Sequence, residues 1–183
     1  MRIAPSSNST PAEWLINGDR RWYDKTDGPL GYERYAQLRF IPGPPRPLTE
    51  LWLLAVAVER LARHTATPDQ LYFLIWDGWP DRDTYQNSGA ARIDLMENSP
   101  YPLRSYYLFE GDSDLFAWED YSSPPATPRH ALPDPAFIWP ADHSWCIADD
   151  VDPDFATIGG SAVAISDLLA DPRIDTEVFD GPR

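Results

Sequence analysis

The sequence predicts an α+β fold: a mostly antiparallel sheet of about six strands, two main helices and long proline-rich loops. Three observations carry this. Leu71 to Trp76 (LYFLIW) is a continuous apolar run of the kind that fills a sheet interior. Leu51, Leu54, Ala55, Val58 and Leu61 recur at helical spacing. The other apolar segments are short and bounded by turn signals, which suits hairpins. At 183 residues the chain can bury one domain well and is short for two, so residues 1–183 read as a single domain.

In chain order, residues 1–9 read as a disordered lead. Thr10-Pro11-Ala12-Glu13 is a capping box, with Thr10 as N-cap and Glu13 reaching back to the free amide. The helix it starts is brief, because Asn17-Gly18-Asp19 is a turn signal, and Trp14 and Trp22 pack it down. Tyr32 to Ile41 alternates as a half-buried strand, with Ala36, Leu38 and Phe40 on one face. The prolines of IPGPPRP then break the chain before the helix of about Leu48 to Arg63. Trp52, Leu53 and Val56 widen its apolar arc, so it should be covered on most sides. Arg60 and Arg63 suit its C-terminal dipole, and Thr67-Pro68 closes it.

After LYFLIW, Asp77-Gly78 reads as a turn and residues 79–90 as a loop. Ala91 to Met96 and Leu103 to Glu110 pair as antiparallel strands. Leu115 to Trp118 forms a helical turn, and residues 119–136 form a proline-rich connection. The closing unit has a strand at Ser144 to Ala148, an acidic loop and a tight Gly159-Gly160 turn. Ser161 then caps a helix whose face is Ala162, Ile165, Leu168 and Leu169, and Arg173 to Phe179 returns as a strand.

Charge restricts function more sharply than fold. Fifteen basic residues against 29 acidic ones give −14 and a pI near 4.4. Such a surface repels phosphate backbones and anionic lipid, so neither a nucleic-acid nor a membrane partner is expected; a cationic partner is favoured. From Ala141 to Asp180 there are ten carboxylates against one arginine, so net −9 lies in that stretch. No run approaches the roughly 18 apolar residues of a membrane span, and MRIAPSSNST lacks an apolar signal core. A single cysteine permits no internal disulfide. A cytoplasmic protein is the expectation. Twenty prolines against ten glycines make the connections rigid rather than flexible.

Several motifs stop short of a site. Asp150-x-Asp152-x-Asp154 copies the first half of an EF-hand loop, but the sharp-turn position is Phe155 and the bidentate-glutamate position is Ser161. It reads as a solvated acidic loop, with no metal and no cofactor expected. Gly159-Gly160-Ser161 resembles an anion cradle without the lysine of a P-loop, among carboxylates that oppose phosphate. Cys146 reads as a small core residue, because on a strand His143 would project from the opposite face. There is no HExxH, GxSxG or SxxK pattern. The aromatics say more: Trp76, Trp79, Trp118, Trp139 and Trp145 fall in or beside turns or at strand ends, where Trp can anchor a protein partner. The candidate binding residues are Trp76, Asp77, Trp79, Trp139, Asp142, Asp149, Asp150, Asp152 and Asp154.

Three blocks carry a resemblance. They are Arg63-His64-Thr65-Ala66-Thr67-Pro68 followed by Trp76-Asp77-Gly78-Trp79; Tyr106-Tyr107-Leu108-Phe109-Glu110-Gly111; and Trp139-Pro140-Ala141-Asp142 through Trp145-Cys146 and Asp150-Val151-Asp152 to Gly159-Gly160-Ser161. Over about residues 50–180 the chain resembles a family of small acidic proteins of unassigned function, widespread in actinomycete-type bacteria. The family pattern has Glu at the position of Asp150. The resemblance implies a bacterial cytosolic setting and a fold of its own; it brings no catalytic or binding role.

The functional expectation is a non-enzymatic acidic protein that binds a basic protein, an immunity or inhibitor protein for a toxin domain being one such case. Two other classes stay open. One is a carboxylate-based or metal-dependent hydrolase working near Asp142 and Asp150 to Asp154. The other is a structural or oligomerisation module.

Overall fold

The apolar run at Leu71 to Trp76 forms the expected strand, and its neighbours show why it is apolar throughout. In the computed structural model, which describes residues 4–16, 28, 30–40, 50–79, 85–95, 102, 104–113, 135–149 and 154–182, both faces of that strand are covered. The elements in order are β1 (Ala4–Pro5), α1 (Glu13–Ile16), β2 (Arg34–Arg39), α2 (Glu50–Leu61), β3 (Leu71–Trp76), β4 (Arg92–Leu95) and β5 (Arg104–Gly111). Then come β6 (Phe137–Pro140), β7 (Trp145–Ala148), β8 (Phe155–Gly160), α3 (Ala162–Leu169) and β9 (Thr176–Phe179). The nine strands among the described residues make one sheet in the order β1-β5-β3-β6-β7-β8-β2-β9, with β4 also on β5; every pairing is antiparallel.

Alternation along each strand divides the core in two. Leu71, Phe73 and Ile75 join Ala36, Leu38, Ile138, Trp145, Ile147 and Ile158 on the face covered by α2 and α3. Tyr72 and Leu74 turn the other way, toward Phe137, Trp139, Cys146, Tyr106 and the α1 residue Leu15. The wide apolar arc of α2 is explained by burial of Leu53 through Val58 and of Leu61. α3 is capped as expected, Ser161 Oγ accepting from the Ala164 N–H at 3.2 Å.

Charged side chains tie the two helices together. The Asp171 carboxylate, wholly buried, accepts from Arg60 Nε at 2.5 Å and Arg173 Nη2 at 2.7 Å. Arg173 Nη1 also reaches Glu59 at 2.8 Å, and His64 Nε2 lies 3.1 Å from Asp167 Oδ2. The end of α2, with the 3-10 turn Ala62–His64, is thereby fastened to α3 and to the turn after it.

The structure supports α+β but revises the strand count: nine among the described residues rather than about six. The added strands are β1, β6 and β8. Ala4–Pro5 is therefore part of the sheet rather than of a disordered lead, pairing with Phe109 and Glu110. Gly159 and Gly160 form no tight turn; they end β8, opposite Tyr35 and Arg34. Gly159 is there for close approach, since a Cβ would lie 2.4 Å from a Tyr32 ring carbon. Thr10 is not an N-cap either. Ser9 holds that position without a side-chain bond, and the Thr10 N–H donates to Asn8 Oδ1 at 3.1 Å. The last strand begins at Thr176, later than Arg173, because Asp171 and Arg173 form a turn that serves the helix clamp. Trp22, the Asn17-Gly18-Asp19 turn, the Leu115–Trp118 turn and the proline-rich connection up to residue 134 lie outside the described residues.

Candidate binding surface

β2 runs antiparallel to both β8 and β9, so its last residues meet the first residues of each. The Arg39 N–H donates to the Asp175 carbonyl at 3.0 Å, and the Phe40 N–H to the Asp154 carbonyl at 2.9 Å. Two acidic segments distant in sequence, DPDF and RIDTE, thus deliver exposed aspartates to either side of Arg39-Phe40. Glu177 takes the Arg39 guanidinium, Oε1 accepting from Nε at 3.1 Å with a second bond from Nη2 to Oε2. That hydrogen-bonded pair holds the guanidinium above its ordinary range. Neither Asp154 nor Asp175 forms a salt bridge among the described residues, although the Asp175 charge also helps raise the Arg39 guanidinium.

The same end of the sheet carries more of the predicted residues. Phe137 pairs with Leu74 and with Ala148, which sets the ends of β3 and β7 beside the start of β8. Trp76 and Asp77 lie where β3 ends, and Asp149 where β7 ends. Asp77 is neutralised by Arg92, Oδ2 to Nη1 at 3.1 Å, and its N–H bonds to the Ser105 carbonyl. Trp76 meets Trp79 edge-on at 6.0 Å between ring centroids, with the Arg104 guanidinium carbon 5.2 Å from its own ring centroid. Gly78 makes the fold-back feasible, because a Cβ there would fall 2.1 Å from the Trp76 ring. Asp149 is 8% exposed and donates its N–H to the Ala136 carbonyl. From β3 to β9 is five strand spacings, roughly 24 Å at about 4.8 Å each.

Five predicted residues therefore gather at one end: Trp76, Asp77, Trp79, Asp149 and Asp154. Trp139 does not join them. It is fully buried on the α1 face, edge-on to Trp14 at 5.8 Å, so it packs the core and presents no surface. Asp142 lies at the opposite end, after β6, and its carboxylate accepts from the Ala66 N–H at 2.7 Å and the Ser144 N–H at 3.0 Å. Its own N–H donates to Thr67 Oγ1 at 3.2 Å, so the RHTATP and WPAD segments clamp each other reciprocally. Partial burial pushes the Asp142 carboxyl up; the Ser144 and Ala66 amides outweigh it and hold the group below the usual carboxylate range. Asp150 and Asp152 lie outside the described residues.

Neither Cys146 nor His143 is set up as a nucleophile–base pair. Cys146 is wholly buried, and burial pushes its thiol well up. His143 sits in a left-handed turn at φ 54°, off the strand, stacked on Trp14 at 4.7 Å. Among the described residues no three His, Cys, Asp or Glu side chains are grouped to hold a metal. No family model, curated protein or solved structure matches the chain. No helix among the described residues is long and apolar enough to cross a membrane.

Sequence reading missed Asp175 and Glu177 as members of this surface. Their signal was present as three carboxylates within the seven residues IDTEVFD, but only the β2 pairing sets them beside Asp154.

Proposed function

We propose that this chain is a non-enzymatic acidic binding protein that engages a basic protein partner, with an immunity or inhibitor protein for a toxin domain as one form of that role. The observation that carries the reading is the pair of exposed carboxylates at Asp154 and Asp175, neither in a salt bridge among the described residues, set on either side of Arg39-Phe40 in the most acidic stretch of the chain. Main-chain bonds from Phe40 and Arg39 hold both residues in place, which reduces the ordering entropy lost on docking. Half-buried Trp76 and Trp79 add aromatic area at the same end of the sheet. A field of one sign there would steer a cationic surface and raise its association rate.

The test is capture of partners on the immobilised full chain, followed by elution in rising salt and repetition with the Asp154→Lys/Asp175→Lys double variant. Basic proteins should be retained, should elute as salt rises from about 0.05 to 0.5 M, and should be lost with the double variant. Retained proteins that are not basic, or that hold unchanged through the salt series, would sink the reading.

A further inference from the structure

We infer that the outer edge of β9 takes an extended basic segment of the partner as an added strand, an inference that rests on the acidic-surface reading and gives it a docking mode. Among the described residues β9 pairs with β2 alone, at Tyr35 with Phe179 through Leu38 with Thr176. The Arg39 N–H bonds to the Asp175 carbonyl. In an antiparallel ladder the bonded pairs recur every second residue, so Glu177 and Phe179 also turn their main-chain groups toward β2. Thr176 and Val178 turn theirs outward.

Side chains on this edge specify what could pair with it. Val178 is 66% exposed and lies opposite Ala36, on the helix-bearing face. α3 packs against β9 and carries Val163, 69% exposed. Glu177 faces the other side of the sheet, opposite Gln37, and exposed Asp175 and Asp180 flank the strand. With Arg39 counted against Glu177, the edge stays net negative. An incoming strand that alternates apolar residues against Val178 with basic ones against Glu177 satisfies both faces. A second copy of β9 would instead bring Asp175, Glu177 and Asp180 close to their own counterparts, and like charges facing across a ladder are destabilising. The edge therefore selects a basic strand over self-pairing, while a bare apolar edge would do the reverse.

The test uses the full chain, an eight-residue peptide of alternating Lys and Val, and the same peptide N-methylated at alternate residues, measured by calorimetry. The plain peptide should bind, more weakly as salt rises, and N-methylation should weaken it roughly tenfold or more. Val178→Pro removes only an outward N–H and leaves the β2 ladder intact; it should cause a similar loss. Val178→Lys, which replaces the apolar contact with a charge without touching the backbone, serves if proline disturbs folding. Equal binding of the two peptides overturns strand addition while leaving a salt-sensitive basic-partner reading in place. Absence of binding by the plain peptide overturns strand addition as well. So does a dimer, seen by light scattering, that Val178→Pro dissolves, because the edge would then belong to a second copy. Binding that ignores salt overturns the underlying basic-partner reading instead.

Discussion

Arg60 Nε donates to Asp171 Oδ2 at 2.5 Å, across the space between α2 and the turn that follows α3. The carboxylate is wholly buried, while Arg60 and Arg173 keep 22% and 40% of their side chains exposed. Removing the acid leaves two guanidiniums that can still hydrate, whereas removing an arginine leaves a buried carboxylate half-paired. Asp171→Ala should therefore cost about 1.5–3 kcal/mol, the range for losing charge-assisted hydrogen bonds, and less than loss of an arginine that strands the buried acid. Urea denaturation of the variant against the parent chain checks this, and a cost under about 1 kcal/mol would make the clamp an ordinary surface pair.

The same carboxyl makes a pH prediction. Hydrogen bonding to Arg173 holds it well below the ordinary carboxylate range; burial opposes this and Arg60 adds to it. The unfolded chain takes up a proton there near pH 4, and the folded chain does so only at much lower pH. The stabilisation is complete above the ordinary aspartate range and is lost as pH falls from about 5 through 3 and below. Stability curves measured across that interval should be flatter for Asp171→Asn than for the parent chain.

Two glycines are set by close approach rather than by backbone sign. Gly78→Ala puts a methyl into the Trp76 indole, and Gly159→Ala puts one into the Tyr32 ring. Each should cost about 1–3 kcal/mol. Gly78→Ala should also change tryptophan fluorescence by dislodging Trp76 from Arg104, a change Gly159→Ala should not produce.

Asp142 joins the turn after α2 to the turn between β6 and β7 by accepting the Ala66 N–H and donating its own N–H to Thr67 Oγ1. Asp142→Ala should cost about 1 kcal/mol and speed hydrogen exchange at the Ala66 amide. Global loss of protection would mean that the clamp supports far more of the fold than these bonds indicate.

Cys146 should stay unreactive toward a thiol reagent in the folded chain and react in a single phase once denatured, since it is wholly buried with its thiol pushed up. Rapid labelling under native conditions would contradict its place in the core.

How much of this was legible depended on whether the signal was local. The helical spacing of α2 and the apolar run of β3 are dictated by a few neighbouring residues, and both appear within a few positions of where the sequence sets them. The strands that were missed carry local marks against being strands: Pro5 in β1, Pro140 in β6, and the double glycine that ends β8. Tertiary pairing overrides those marks. The site divides in the same way. Trp76, Asp77 and Trp79 are consecutive enough to be read together, whereas Asp154 and Asp175 become neighbours only through β2, and Trp139 is assigned to the core by a face that sequence does not reveal.

The placement of β2 also has a consequence in time. Residues 34–39 are held between residues 155–160 and 176–179, so during synthesis this strand has neither neighbour until the chain has been made past residue 155. Such non-local closure is slow, and until then Ala36 and Leu38 have no sheet to join. A chain that stops after β8 would keep one side of β2 bare. Such truncated chains should aggregate through that edge, which makes β9 a checkpoint for the integrity of β2.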